Sequence, residues 1–222
     1  MPSPSAALPS DNTRRSQPER TAAMRWRLME ATVQSLAEEG FAKSTLSAIV
    51  RRAGVSRGAQ VHHFPTRQIL MIETAEHLLL ETYKDLGQLV LSIAEENRRL
   101  EALVQELWET LFGTQRFTAY LELLAASQHD PELAGELQQL VARTVELYDP
   151  AGKHYFKRRK PHSVAPRLLF IQLCALLSGL AAHRHLVTDE HVIDNQLQLW
   201  VKQAAVHLMA RPGVSEPPPL EE

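Results

Sequence analysis

Between Lys43 and Arg67 the chain carries five Lys/Arg and no Asp/Glu, and it sets Gly54 between two short apolar patterns. That combination permits little besides two short helices meeting at a tight corner. In the first pattern Leu46, Ile49, Val50 and Ala53 recur at three- and four-residue spacing, the period of one buried helix face. Ser44 or Thr45 can cap it by accepting from an otherwise unpaired N–H of the first turn. Gly54 can take the left-handed conformation that ends a helix, with Val55 turning inward at the corner. Ser56 is placed to cap a second helix carrying Arg57, Gln60, His62 and His63, which Phe64 closes before Pro65.

The segment therefore reads as a helix-turn-helix, and its side chains suit a nucleic-acid duplex. A helix in the major groove needs groups for base edges near its N-terminal end and phosphate contacts on either side. Arg57 and Gln60 supply the first, since Arg can pair with guanine and Gln with adenine in two-point geometry. Lys43, the capped start at Ser44 and Thr45, and Arg67 are expected to hold phosphates, helpful helix dipoles included. His62 and His63 can donate to a phosphate or a base. With Ser56, Gly58, Ala59 and Phe64, these residues make up the expected DNA-contact set.

The run from about Glu19 to Leu79 resembles the DNA-binding domain of TetR-type (TetR/AcrR) transcriptional regulators. The likeness rests on Gly40-Phe41 after an amphipathic first helix, Thr45, Ile49, Ala53-Gly54-Val55-Ser56, Gly58, and His63-Phe64 followed by a basic residue at 67. It implies an all-α protein: an N-terminal three-helix helix-turn-helix domain, and a larger C-terminal helical domain for effector binding and dimerisation. Two departures stand out. Family members usually have an aliphatic residue and then Tyr where this chain has Gln60 and Val61; the Tyr commonly touches the DNA backbone. At 67 the family more often has Lys, and Arg keeps the charge while adding a planar fork.

Charge is divided along the chain. Residues 1–67 hold ten Lys/Arg against five Asp/Glu, a balance of +5, and the remaining 155 hold fourteen against twenty-one, −7. A basic front and an acidic body keep polyanion contact at one end. The single cysteine, Cys174, excludes an intramolecular disulfide, fits a reducing cytoplasm and reads as a small core residue. Residues 1–18 are polar and Pro/Ser-rich with no apolar core, as expected of a disordered arm rather than a signal peptide; Arg14, Arg15 and Arg20 could reach a groove or stay solvated. The Pro-rich residues 211–222 are expected to be a disordered tail. The apolar run from Leu168 to Ala182, broken by Gln172 and Ser178, is read as too short for a bilayer, and no membrane partner is expected.

Helical periodicity runs through the rest, with no strand pattern competing. Helices are expected at about 19–39, 67–96, 98–112, 115–127, 130–156, 163–187 and 189–211. Residues 19–80 form the DNA-binding domain, with its motif at 45–64, and 81–210 the effector and dimer domain. Under the resemblance, Trp108, Phe112, Phe117, Tyr120, Leu124 and Gln172 are the candidates for an effector pocket. Leu169, Leu173, Leu176, Leu177, Leu180, Leu197, Trp200, Val201, Ala204 and Leu208 on the last two long helices are the candidates for a homodimer interface. No nucleophile constellation, phosphate loop or metal-ligand spacing appears: His183 and His185 are two residues apart and point different ways on a helix. The expected protein is a cytoplasmic, dimeric DNA-binding regulator without cofactor, more a repressor than an activator, not an enzyme, and responsive to an unidentified small molecule. The alternative is a small-molecule sequestering protein whose DNA-binding head is vestigial.

Overall fold

The computed structural model describes residues 16–93, 98–189 and 191–216. The arm's Arg14 and Arg15 and the last six residues lie outside it. Helix α1 spans Gln17–Glu39, α2 Leu46–Ala53, α3 Arg57–His63 and α4 Arg67–Ser92. Helix α5, Arg99–Leu107, runs on into a π-helical turn at Trp108–Phe112; α6 is Gln115–Ser127 and α7 Pro131–Tyr155. After strand β1, Phe156–Arg158, come α8, Pro166–His183, a 3-10 turn at Arg184–Leu186, α9, His191–Ala205, and strand β2, Leu208–Ala210.

Local chemistry explains where α1 begins. Ser16 accepts from Glu19 N (3.4 Å) and donates its own N–H to Glu19 (2.7 Å), a reciprocal cap that carries the helix back to Gln17, into the segment expected to be a disordered arm. Gly40 ends it at φ 79°, ψ 169°, open to glycine and little else. Leu28, Leu36, Ile49, Phe64 and Leu70 bring α1, α2, the end of α3 and α4 around one fully buried core. Along its length α1 also packs on α6, so that core continues into the body through Leu107, Phe117, Leu123, Leu133, Leu140 and Leu173.

Three expectations change in the C-terminal part of the chain. Strands β1 and β2 pair antiparallel, Phe156 opposite Ala210 and Arg158 opposite Leu208. Three residues are too few to show alternation, and the pairing joins segments about fifty residues apart, so no local signal announced it. The tail is also held beyond Arg211. Arg211 N donates to Tyr155 O (2.8 Å), Val214 packs against Val90, Ala151, Tyr155 and Phe156, and His154 meets Glu216 O (2.8 Å). Finally, Pro166–Leu186 is long and apolar enough to cross a membrane by length and composition alone, with 17% of its most apolar window buried. The apolar stretch is thus longer than the sequence pattern suggested, and most of it lies on an open face.

Candidate nucleic-acid interface

The reading element is built by three successive hydroxyl caps. Thr45, not Ser44, caps α2, accepting from Ala48 N at 3.2 Å. Gly54 takes φ 62°, ψ 39°, and the N–H groups of Gly54 and Val55 return to Arg51 O and Val50 O, each 3.2 Å, closing the helix in left-handed fashion. Ser56 caps α3 through Ala59 N (3.2 Å), and Thr66 caps α4 through Ile69 N (3.1 Å). Thr66 was not among the expected contacts. The hydroxyl just after Pro65 and three residues before Ile69 was the signal that could have identified it.

On α3 the solvent face consists of Arg57, Gly58, Val61 and His62. Their spacing of one, three and one residues keeps them within an arc of about 140° on a 3.6-residue helix. A methyl group at Gly58 would meet nothing nearer than Ser56 Oγ at 4.0 Å, so the backbone is open to close approach there. His63 is half-buried. Burial first, then neighbouring His62 and the Arg25 charge, hold its imidazole below the usual 6.5, leaving it neutral at neutral pH.

Several expected contacts have other duties. Gln60 is 1% exposed, and its side-chain amide donates to Phe64 O inside the head, so it occupies the place of a core aliphatic rather than facing bases. Phe64 is fully buried beneath the Arg25 guanidinium, 4.5 Å from its ring centroid. Ser44 is also buried, its hydroxyl donating to Gly40 O (2.8 Å). Arg67 donates to Ser44 O (2.8 Å) and Phe41 O and lies 4.0 Å over the Phe41 ring; it staples α4 to the α1–α2 turn instead of reaching out to phosphate. Burial lowers the Arg67 pKa, with Asp130 acting the other way. Ala59 is half-buried.

The charge left for a partner is smaller than the sequence count. Arg52 pairs with Glu39 (2.5 Å) and Glu38 (2.6 Å), and these hydrogen bonds raise its pKa. Of the five Lys/Arg between 43 and 67, Lys43, Arg51 and Arg57 are exposed and have no partner among the described residues. They stand beside the capped starts of α2 and α3, whose free N–H groups add donors for phosphate.

The head is wired to the body at two places on α6. Glu122 accepts from Phe41 N (2.9 Å), and Arg116 lies 3.4 Å from Glu30 of α1. A third link crosses from α7, where Tyr148 donates to Leu79 O (3.3 Å) at the middle of α4.

Within the body, five of the six expected pocket residues fall on the interior side. Phe112, Phe117 and Tyr120 form a row with ring centroids 4.4 and 5.5 Å apart, and Trp108 and Leu124 pack on the same core. Gly113 holds the π turn against Trp108; a methyl there would stand 2.7 Å from Trp108 O and 2.8 Å from its ring. Gln172 does not belong to this group, being exposed on α8. Burial pushes the Tyr120 hydroxyl and the Cys174 thiol each up to about 12. A separate open cleft of 480 Å³ between α5 and α9 is bordered by Glu101, Gln105, Asp194 and Gln198, none of them expected from sequence.

The expected dimer residues are largely spent inside the protomer. Leu169, Leu173, Leu177, Leu197, Trp200, Ala204 and Leu208 are buried, and Leu176, Leu180 and Val201 are half-buried against the same core. Periodicity identified the apolar helices but chose the inward face. Leu168, Ile171, Ala175, Gly179 and Ala182 on α8 and Leu199 on α9 are the exposed ones.

Comparison with known proteins matches this geometry. Residues 28–74, which contain the capped corner and α3, match the family described as bacterial regulatory proteins, tetR family. The HTH-type transcriptional regulator CymR of Pseudomonas putida is 32% identical over 130 residues, 59% of this chain, and the chain spans 64% of that relative's length. BetI of Stenotrophomonas maltophilia, another HTH-type transcriptional regulator, is 31% identical over 159 residues, covering 70% of this chain and 78% of the relative. Among solved structures, a TetR transcription regulator from Haloarcula marismortui (TM-score 0.63, 17% identity, 86% of this chain and 100% of that one) has the same fold. So does a transcriptional regulator from Saccharomonospora viridis solved with choline (TM-score 0.60, 17% identity, 86% and 100%). With its capped helix-turn-helix on a helical body and a regulator relative 31% identical over 78% of that relative's length, the chain belongs to the TetR family of transcriptional regulators.

Proposed function

We propose that the chain acts in the cytoplasm as a homodimeric repressor that holds a palindromic operator and leaves it when a small molecule occupies the helical body. The observation that carries this reading is the open face of α3, Arg57, Gly58, Val61 and His62, beside Lys43 and Arg51, whose side chains have no partner among the described residues, and three capped helix starts. Arg57 reads a base edge, Gly58 lets the backbone approach, and Lys43, Thr45, Ser56 and Thr66 fix the register on phosphates. Dimerisation is supported by the unpartnered face of α8. Leu168 is 60% and Ile171 44% exposed there, and small residues at 175, 179 and 182 let a second helix come close. Such a dimer sets two reading helices ~34–36 Å apart, one turn of the duplex.

Release is a population shift. An effector that prefers a state with differently spaced heads lowers operator affinity, and DNA lowers effector affinity by the same factor. Helix α4 links the two regions without interruption from Arg67 to Ser92, and the Glu122 to Phe41 hydrogen bond gives α6 a second grip on the head. The family neighbour holding choline supports a small-molecule site in this body without naming the molecule.

A salt-dependent gel shift with the DNA upstream of the chain's own coding region tests the reading. Sequence-preferring binding is expected, with Arg57→Ala costing ~1–3 kcal/mol of discrimination. Leu168→Glu with Ile171→Glu is expected to give monomers in sedimentation and to weaken operator binding. No preference over random duplex would instead favour a sequestering protein with a vestigial head.

A further inference from the structure

Helix α3 has seven residues, about two turns, too few to hold an orientation of its own, so whatever grips its two ends decides how it meets a duplex. Ser56 fixes the start. The other end has no glycine stop: Phe64 follows in an extended conformation (φ −140°, ψ 91°), and its N–H returns to Gln60 O at 2.7 Å. Arg25 of α1 closes that end from outside. Its Nη1 donates to the carbonyl of His63, the last residue of α3, at 3.1 Å, where a positive charge also answers the helix dipole. The same guanidinium lies 4.5 Å over the ring of fully buried Phe64, and its Nη2 pairs with Glu73 of α4.

Two residues further along α1, Arg27 treats α2 in a related way, its Nη2 donating to Ala53 O (2.8 Å) and reaching Gly54 O (3.4 Å). The two arginines differ in reach. Among the described residues the hydrogen bonds of Arg27 go to the α2 corner alone, whereas Arg25 ties the end of α3 to both α1 and α4. A planar fork suits that bridge, since it holds a carbonyl and a carboxylate at a fixed angle to each other, which a lysine cannot. We propose that Arg25 is a positioning residue for operator reading: by bridging His63 O and Glu73 it sets the tilt of α3, and so the aim of Arg57. With the start of α3 capped, release of its far end lets the helix swing about Ser56. Two-point pairing with a base edge fails on such a swing, while contacts to phosphate tolerate it. The proposal rests on the reading of α3 as the operator-reading helix given above.

Fluorescence anisotropy on the full chain at one salt concentration tests it, comparing the operator found by the gel shift with a random duplex of equal length. Arg25→Met is expected to lower the operator-to-random affinity ratio roughly tenfold while random-duplex affinity stays within about threefold. Glu73→Gln leaves the guanidinium its carbonyl and removes its anchor on α4. It is expected to lower the ratio about threefold alone and to add nothing in the Arg25→Met background. Arg25→Lys keeps the charge without the fork and is expected to fall between wild type and Arg25→Met. A merely structural role has a different signature: partial unfolding lowers both affinities by one factor and leaves their ratio alone. A ratio unchanged within about twofold in Arg25→Met, or full additivity of the two substitutions, therefore overturns the assignment. Should Arg25→Met not fold, Arg25→Lys and Glu73→Gln carry the test, and an unchanged ratio in both overturns it. If the wild type prefers its operator and the variants keep that preference, the positioning role falls and the regulator stands. If the wild type itself has no preference over random duplex, the regulator reading falls and takes the positioning role with it.

Discussion

The head and the body begin their helices by different means. In the head, α2, α3 and α4 each start at a hydroxyl that accepts from the N–H three residues on, Thr45, Ser56 and Thr66 at 3.2, 3.2 and 3.1 Å. In the body, α5, α6 and α8 start with no side-chain cap, whereas Asp130 accepts from Leu133 N (3.1 Å) at the start of α7 and Asp189 from His191 N (2.9 Å) at the start of α9. The contrast has a physical cause. A surface that must meet DNA cannot be packed against protein, so its helix ends are fixed by bonds a few residues long. The body buries its helices on several sides and lets packing place their ends.

The largest effect that follows is in the body. Phe117 is buried between Phe112 and Tyr120, and Phe117→Ala is expected to cost ~3–5 kcal/mol in thermal or urea unfolding. A loss no greater than that from removing a cap would break the contrast. Next comes the joint between the regions. Gly40 has φ 79° and ψ 169°, and a methyl there would sit 3.1 Å from Glu122 Oε2, the atom that accepts from Phe41 N. Gly40→Ala is therefore expected to cost ~1–3 kcal/mol and to disturb the body's grip on the head. Normal stability with normal effector-linked release would show that this grip transmits nothing.

Caps give smaller changes of opposite sign in the two regions. Ser56→Ala should lose ~1 kcal/mol and, because it loosens the start of α3, weaken operator binding as well. Ala165 begins α8 at φ −67° and ψ 143°, a backbone that suits a capping residue it does not have. Ala165→Ser should add a few tenths to ~1 kcal/mol, seen as a rise of a few degrees in melting temperature. If the body gained nothing while the head lost its cap energy, helix starts in the body would already be fully determined by packing.

The same contrast explains what could be read from the sequence. Gly54, Ser56, Thr45 and the spacing of Ile49 and Ala53 act within one or two turns, so the corner and its caps were visible in the residue order. In the body the helices were visible from their period, but not which side faced inward. On α8 Leu168 and Leu169, adjacent and equally apolar, lie 60% and 6% exposed, because the neighbours that decide between them come from elsewhere in the chain. The two three-residue strands, the Arg99 to Val214 contact and the hold on residues 211–216 are likewise long-range. Five of the six pocket candidates proved interior because large aromatics seek burial anywhere in such a body, which says nothing about what they bind.

Gln60 shows that packing also decides some positions in the head, and its substitution should have the smallest effect of all. The residue's type and place on α3 suggested a base contact, yet its side chain is enclosed and its amide donates to Phe64 O. Gln60→Leu keeps much of the volume and gives up one hydrogen bond, so stability should change by no more than ~1 kcal/mol. Operator affinity and sequence preference should stay within about twofold, whereas Arg57→Ala relaxes preference at one base step. Neighbouring Val61 is 51% exposed, and Val61→Tyr should tighten binding to operator and random duplex alike by adding a backbone contact. Selection experiments on randomised operators, run with Gln60→Leu and Arg57→Ala side by side, separate the two. A preferred base that changes with Gln60→Leu would mean that α3 rotates on DNA to expose the amide, and that the head is less rigidly set by its caps than its hydrogen bonds indicate.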